Sequence, residues 1–511
     1  MKSWCNKLYI VATLMSTSLG RRCIVKNDQN KNENPSIDDH PSNELFNEQF
    51  RPQIHFTPSK NWMNDPNGMI YVDGTYHLFF QHNPEANVWG NMSWGHATST
   101  DLMHWTEHPV AITRDELGDV FSGSAVIDKY NTAGFGNDTM IAIFTSAGSA
   151  QQQSIAYSID DGLTFTRYEN NPIIKNDNDL QRDPKVFWHE ESKQWIMCLA
   201  QGWKMGIEIW GSTDLKNWNK LSEFKHDLPD RPKIQWECPD LISFEYNGKK
   251  KWVLLVSVNP GGYIIGSGTM YFIGDFDGKR FTAEERNYPL WIDYGMDNYA
   301  GVTWGNTGDR RVFLGWMNNW EYADKVPNSP WRSAMTLPRE LKLKELNGEL
   351  ILCSPVVKEI EGIAKKWNKF ESINDSKFRI INGKTDKAYQ VQLNIELNKD
   401  STITLSNSKD EKLIIEIDAA NRKLTTHRDE KTGQSEFSDK YVIKSIDAPL
   451  NIESSILKLD VYVDQSSVET LSDDGRMSMT NLVFPSSIYD SLLVSGAKYT
   501  IKVRPIKSIY A

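Results

Sequence analysis

From about residue 50 to residue 354 the chain alternates short apolar runs with Gly, Asn and Asp, which predicts strands joined by turns. Tyr76-His77-Leu78-Phe79-Phe80-Gln81 and Lys251-Trp252-Val253-Leu254-Leu255-Val256-Ser257 are representative: rich in β-branched, aromatic or leucyl side chains and close to turn formers. Apolar residues at the helical spacing of three and four are hard to find over any length. One turn motif recurs. Ser99-Thr100-Asp101-Leu102-Met103-His104-Trp105 returns as Ser212-Thr213-Asp214-Leu215-Lys216-Asn217-Trp218. Looser copies start at Ser158 and Gly274, as Ser-Ile-Asp-Asp-Gly and Gly-Asp-Phe-Asp-Gly. The copies lie roughly 55 to 60 residues apart, the length of a four-stranded sheet with long connections, and so predict propeller blades without fixing their number.

After Pro355 the texture changes. Trp becomes rare, Lys, Ser, Asp and Ile rise, and strict alternation appears in Tyr389-Gln390-Val391-Gln392-Leu393-Asn394-Ile395 and Lys412-Leu413-Ile414-Ile415-Glu416-Ile417. Some 150 residues of short alternating strands predict a β-sandwich. The expected division is a propeller over 49–355 and a sandwich over 356–511, with the charged stretch 359–369 as a linker or short helix between them.

The N-terminus follows neither pattern. Lys2 and Lys7 flank the start of an apolar run, Leu8 to Met15, followed by small residues ending Ser18-Leu19-Gly20. A positive start, a short apolar run and a small-residue cleavage site predict a secretory leader over 1–20, too short to span a bilayer. Residues 21–48 are polar and predict a flexible arm. Removal of the leader would take Cys5 and leave Cys23, Cys198, Cys238 and Cys353; no C-x-x-C spacing suggests a metal or redox motif. A secretory compartment permits disulfides among them, whose pairing the spacing leaves open. Sequons at Asn91, Asn137 and Asn374 suit a secreted glycoprotein.

Composition narrows the chemistry. The net charge of −10 argues against nucleic acid or an anionic membrane as partner. The 18 Trp, 19 Tyr and 20 Phe fit a strand-rich core or a surface on which sugar rings stack.

Three acidic segments stand out: Asn64-Asp65-Pro66-Asn67-Gly68, Arg182-Asp183-Pro184 and Trp236-Glu237-Cys238-Pro239. Proline holds the residue before it in extended backbone, so each acid sits at a strand end or turn with its direction largely set. Taken alone, Asp65-Pro66-Asn67-Gly68 predicts a β-turn, Arg182-Asp183 a surface pair and Glu237 a solvated strand end. Their surroundings give a second reading. Trp62, Gln81 and Trp89 add indoles and an amide suited to sugars. Arg182 beside Asp183 would hold that carboxylate ionised, while Trp236 and the apolar step after Glu237 would desolvate it and raise its pKa. An ionised nucleophile with a protonated acid is the division of labour in retaining glycoside hydrolysis.

The run His55-Phe56-Thr57-Pro58 through Trp62-Met63-Asn64-Asp65-Pro66-Asn67-Gly68, then Phe121-Ser122-Gly123-Ser124, Arg182-Asp183-Pro184 and Glu237-Cys238-Pro239, resembles glycoside hydrolase family 32, the invertases, inulinases and levanases. The resemblance continues through Gly315-Trp316-Met317-Asn318-Asn319-Trp320, Trp331-Arg332, Asp464 to Glu469 and Thr480 to Pro485, and so covers almost all of the chain after residue 50. It implies a five-bladed propeller followed by a sandwich. It implies Asp65 as nucleophile toward the anomeric carbon of a β-fructofuranosyl unit, Glu237 as acid and base, and Asp183 as the transition-state stabiliser. Trp62, Asn64, Gln81, Trp89, Phe121, Ser122, Arg182 and Trp316 would form the fructose-binding shell. No cofactor is implied, and no metal cluster stands out among the ten His. The acceptor stays open between water and a second sugar, the substrate between sucrose, inulin and levan, and a non-catalytic sugar-binding relative would be expected to lack one of the three acids.

Overall fold

The computed structural model describes residues 45–176, 180–228, 230–231, 234–370, 377–381 and 386–510. The expected leader, most of the expected arm, Cys5, Cys23 and the sequon at Asn374 lie outside the described residues. Of the residues expected to belong to the arm, Phe46 stacks on Tyr510 at 4.1 Å and Glu48 pairs with Arg51 at 2.7 Å, while Leu45 is exposed.

Among the described residues, five sheets follow one another between residues 61 and 340, four-stranded in outline and antiparallel within each chain segment. Their innermost strands are Asn61–Val72, Asp119–Asp128, Arg182–His189, Trp236–Tyr246 and Tyr299–Thr303. Each of these touches the next, and the last returns to the first, so the sheets close into a propeller. Trp331–Arg332, from the end of this region, pairs in parallel with Asn61 and Trp62 and ties the ring shut. The recurrent turn motif is the outer hairpin of four successive blades. In two of them Asp101 and Asp214 accept backbone N–H groups two and three residues on, at 2.7–3.0 Å, and a buried leucine, Leu102 or Leu215, takes the left-handed conformation at φ 63° and 61°.

The acidic segments are not the isolated turns that their residues predict. Asn64–Gly68 lies inside a twelve-residue strand whose ladder breaks twice, between Met63 and Pro66 and between Asn67 and Ile70. Pro66 brings no N–H to the ladder, and Gly68 sits at φ +52° with the rings of Phe79 and Trp94 where a Cβ would be, at 2.7 Å. The same device recurs at the start of the other innermost strands. The ladder slips between Val120 and Gly123, opposite Asp183–Pro184, between Glu237 and Asp240, and between Tyr299 and Val302. Asp183, Cys238 and Ala300 adopt φ of 64°, 45° and 52° at these breaks. A bulge adds a residue to one strand and re-aims the side chains around it. Five bulges near one end of five adjacent strands turn Asp65, Ser122, Asp183, Glu237 and Tyr299 toward a common cavity.

The rest of the chain forms a short hairpin, Lys342–Leu346 with Glu349–Cys353, a 3-10 turn at Lys358–Gly362, and two six-stranded sheets packed as a sandwich. In Ala388–Glu396, Val391, Leu393 and Ile395 face the intersheet core while Asn394 stays exposed, the alternation expected of a strand with one wet face.

The sandwich meets the propeller through buried charge. Glu469, on a sandwich strand, accepts from Arg339 at 2.5 Å, from the Leu337 N–H at 2.9 Å, and faces His55 Nε2 at 2.8 Å. Asp464 faces His55 Nδ1 at 2.8 Å and accepts the backbone N–H of Gln53 and Ile54 at 2.8 and 3.0 Å. Burial opposes a charge on His55, yet the two carboxylates overrule it and push its pKa up to about 9. Burial also opposes the charge on Glu469, and Arg339 and His55 overrule that, holding it at about 2.

A group whose folded pKa is raised stabilises fully below its unfolded value and loses that contribution as pH rises through the folded value. The His55 contribution is therefore expected whole below pH 6.5 and gone above about 9. Thermal midpoints of wild type and His55→Gln across this window check it. The variant should melt lower at pH 6, and the gap should narrow toward pH 10; a constant gap contradicts the assignment.

Candidate active site

The bulged strand ends line a cavity of about 570 Å³. Asp65, Asp183 and Glu237 all reach it, together with Asn64, Gln81, Trp89, Phe121, Ser122 and Arg182. Two residues expected in the binding shell do not. Trp62 and Trp316 are fully buried behind the wall, where Trp62 Nε1 donates to Asn64 Oδ1 at 2.7 Å and Trp316 Nε1 donates to the Met63 carbonyl at 3.1 Å. They brace the bulge that carries Asn64 and Asp65 and present no face to a ligand. A second indole lines the cavity beside that of Trp89: Trp320, which stacks on Trp62 at 5.8 Å and lies in the same Gly315–Trp320 motif as Trp316. Gln151, Leu180, Gln235, Asn259 and Tyr299 complete the lining, and no motif in the sequence marked them.

Each acid has its own set of donors. Asp65 Oδ2 accepts from the Ser122 hydroxyl at 2.6 Å and Oδ1 from the Asn64 amide at 3.0 Å, so neutral groups fix its direction. Asp183 Oδ2 accepts the Cys238 N–H at 3.0 Å. The Cys238 thiol lies between the two aspartates, 3.4 Å from Asp65 and 3.6 Å from Asp183. Glu237 takes the guanidinium: Arg182 Nη2 and Nε donate to its Oε1 at 2.5 and 3.1 Å, the Gln235 amide donates to the same oxygen at 3.3 Å, and the Tyr299 hydroxyl donates to Oε2.

The electrostatics correct one expectation. Arg182 was expected to hold Asp183 ionised; its guanidinium instead turns to Glu237 and stays 3.8 Å from Asp183. Burial pushes Asp183 up to about 6, against the pull of Arg182 and with a further push from Asp65. Glu237 rises to about 7, again through burial first, opposed by Arg182 and reinforced by Asp183 and Asp65. The expected rise at Glu237 is present, with burial as its largest cause, and the Trp236 indole is itself fully buried among Phe224 and Phe272 rather than lining the cavity. Burial and the neighbouring carboxylates push the Cys238 thiol well above its ordinary value, so it stays neutral. Cys198, Cys238 and Cys353 are all free and buried, so the described residues contain none of the permitted disulfides.

Of the two described sequons, Asn137 is exposed. Asn91, next to the cavity-lining Trp89, donates to Glu85 at 2.9 Å and accepts from Arg114 at 2.7 Å.

The profile described as the Glycosyl hydrolases family 32 N-terminal domain matches residues 55–355, and that of the family's C-terminal domain matches residues 357–505. The chain is 42% identical over 489 residues to a levanase of Bacillus subtilis, covering 91% of this chain and 72% of that protein. It is 38% identical over 509 residues to an extracellular exo-inulinase of Aspergillus niger, covering 90% of this chain and 94% of that one. The crystal structure of an exo-inulinase from Aspergillus awamori superposes with a TM-score of 0.84 at 34% identity, over 91% of this chain and 99% of that one.

Arg182 is the cation that favours the ionised form of Glu237, so removing it must raise the Glu237 pKa further. In Arg182→Gln the carboxyl that titrates near 7 is expected to move upward, as read by carbon-13 NMR of labelled glutamate. A downward shift, or none, would show that the guanidinium does not control this group.

Proposed function

The chain belongs to Glycosyl hydrolases family 32, and on that premise we propose that it is a secreted retaining β-fructofuranosidase, releasing terminal fructose from sucrose and β-fructans by double displacement. The observation that carries this reading is the placement of Asp65 and Glu237 in one cavity with different donors, neutral groups on Asp65 and a guanidinium on Glu237. Asp65 is aimed by the neutral donors Ser122 and Asn64. Glu237 has a pKa near 7 and so keeps its proton at mildly acidic pH.

In the first step Asp65 attacks the anomeric carbon while Glu237 gives its proton to the glycosidic oxygen. The carbon–oxygen bond to the leaving group breaks, and a fructosyl ester forms on Asp65. The carboxylate left on Glu237 is the form that Arg182 and Tyr299 favour by donating to it. In the second step that carboxylate takes a proton from water, whose oxygen attacks the anomeric carbon and frees Asp65 with net retention. Asp183, with one oxygen committed to the Cys238 N–H, is assigned to the fructosyl hydroxyls and to the positive charge that develops on the ring. Asn64, Gln81, Trp89, Phe121, Ser122 and Trp320 are assigned to the fructosyl unit. A leader cleaved after Gly20, with the propeller over 49–355 and the sandwich over 356–511, completes the proposed organisation.

Transfer to a sugar acceptor would use the same ester, so products decide between the two outcomes. Equimolar glucose and fructose from sucrose support hydrolysis, and accumulating trisaccharides support transfer. Glu237→Gln is expected to lower kcat by about 10³-fold on sucrose, within the range of general acid–base catalysis, and to remove the alkaline limb of the pH–rate profile. In wild type that limb should fall as pH rises through about 7, where Glu237 loses its proton. Asp65→Ala should abolish turnover; wild-type rates in this variant would refute the nucleophile.

A further inference from the structure

The five innermost strands belong to five different sheets, so no ladder sets the distance from one to the next. Side chains just past the cavity-lining residues make that connection. The Asn67 side-chain carbonyl accepts the Gly123 N–H at 3.3 Å. The Ser124 hydroxyl donates to the Pro184 carbonyl at 2.8 Å and accepts the Val186 N–H at 2.9 Å. Lys185 Nζ pairs with Asp240 Oδ2 at 3.1 Å and donates to the Thr303 carbonyl at 2.6 Å. The same Asp240 oxygen accepts the N–H and the hydroxyl of Thr303, both at 2.7 Å. Each link joins one innermost strand to its neighbour, one layer beyond Asp65, Ser122, Asp183, Glu237 and Tyr299.

One link in this belt is ionic, and it joins the strands of Asp183 and Glu237. Asp240 is fully buried and the Lys185 side chain is 12% exposed. Neither lines the catalytic cavity; both face a separate cavity of about 390 Å³ further along the same strands. A buried ion pair is a poor stability device, because desolvation of the two charges offsets most of their attraction. What it fixes is separation and register. The same two strands carry Arg182 and Glu237, whose bond bridges the same gap in the layer above.

We propose that Lys185 and Asp240 are positioning residues, an ionic clasp that holds the strand of Arg182 and Asp183 at a fixed distance from the strand of Glu237. Through Thr303 the clasp also fixes the strand of Tyr299, which donates to Glu237. Glu237 is faced by Arg182 and Asp183 from one strand, Asp65 from another, Tyr299 from a third and its own neighbour Cys238. Burial, Asp183 and Asp65 raise its pKa, and Arg182 opposes them. An opened clasp weakens the Arg182 bond and lets that pKa rise further. This rests on the hydrolase reading, with Glu237 as the acid.

The test measures kcat and KM on sucrose against pH for wild type, Lys185→Met, Asp240→Asn and the double variant, each below its thermal midpoint. In every variant kcat is expected to fall by about 100-fold, the cost of misplacing a catalytic group by about 1 Å, with KM little changed. The alkaline limb should move above its wild-type position near 7. The double variant leaves no buried charge uncompensated, so it stays measurable where a single variant does not fold, and it should lose no more than either single one. Variants that melt lower but keep the wild-type kcat and alkaline limb would overturn the clasp, as would a loss confined to KM. A Glu237→Gln enzyme with wild-type kcat would instead refute the acid on which the clasp depends.

Discussion

The structure depends on a backbone irregularity repeated five times. A regular strand points alternate side chains to opposite faces of its own sheet, and in a propeller neither face looks down the ring axis. An acid on an ideal innermost strand would be buried between blades or left in a neighbouring interface. Each innermost strand instead breaks its ladder near its first residues, and three of the five place a residue other than glycine at positive φ there. Left-handed backbone costs about 1 to 2 kcal/mol per such residue, so these breaks persist only because the surrounding blades over-determine them. The prolines that follow Asp65, Asp183 and Cys238 fit this role, since a bulge is where a strand tolerates a missing N–H.

Gathering three carboxylates creates the next constraint. Like charges in a desolvated cavity cannot all ionise freely, and the Arg182 guanidinium bonds to one of them, Glu237. Its position decides the assignment of protons. Were Arg182 turned to Asp183, as adjacency in the chain suggests, Glu237 would lose its strongest donor and Asp183 would be the ionised member of the pair. Turned to Glu237, it leaves that residue near neutrality, where a carboxyl can both give and take a proton. Asp65 instead takes hydroxyl and amide donors that carry no charge. The Cys238 thiol separates the two aspartates without adding a charge.

How much of this was legible in the sequence follows from what each residue's role depends on. The strand texture, the recurrent Asp-containing hairpins and the compositional break near Pro355 are local properties, and they reappear as blades and sandwich. The three acids were legible because proline, aromatic and amide neighbours travel with them in the chain. Tyr299 and Gln151 were not, because only the packing of one blade on the next brings them to Glu237 and Arg182. Trp62 and Trp316 misled for a related reason. A bulge shifts the face on which the following residues point, so the ladder break after Met63 puts Asn64 and Asp65 in the cavity and leaves the indole behind them. The direction of Arg182 was equally out of reach, since it depends on a carboxylate 55 positions away.

The sandwich takes part in the same geometry. Residues 293–298, which lead into the last innermost strand, make many of their hydrogen bonds to it. Asp293 accepts the Thr480 N–H at 2.8 Å and the Thr480 hydroxyl at 2.7 Å, and Asp297 accepts the Leu482 N–H at 2.8 Å and Arg428 at 2.7 Å. The Met296 N–H reaches Asn481, and the Tyr294 and Asp297 N–H groups reach the carbonyls of Ser478 and Thr480. The chain then passes through Asn298 to Tyr299, whose hydroxyl donates to Glu237. A segment of the second domain thus sets the origin of the strand that holds the acid in place. The buried ions at this junction, costly to assemble and costly to break, fix one docking of the two domains and so one position for Tyr299.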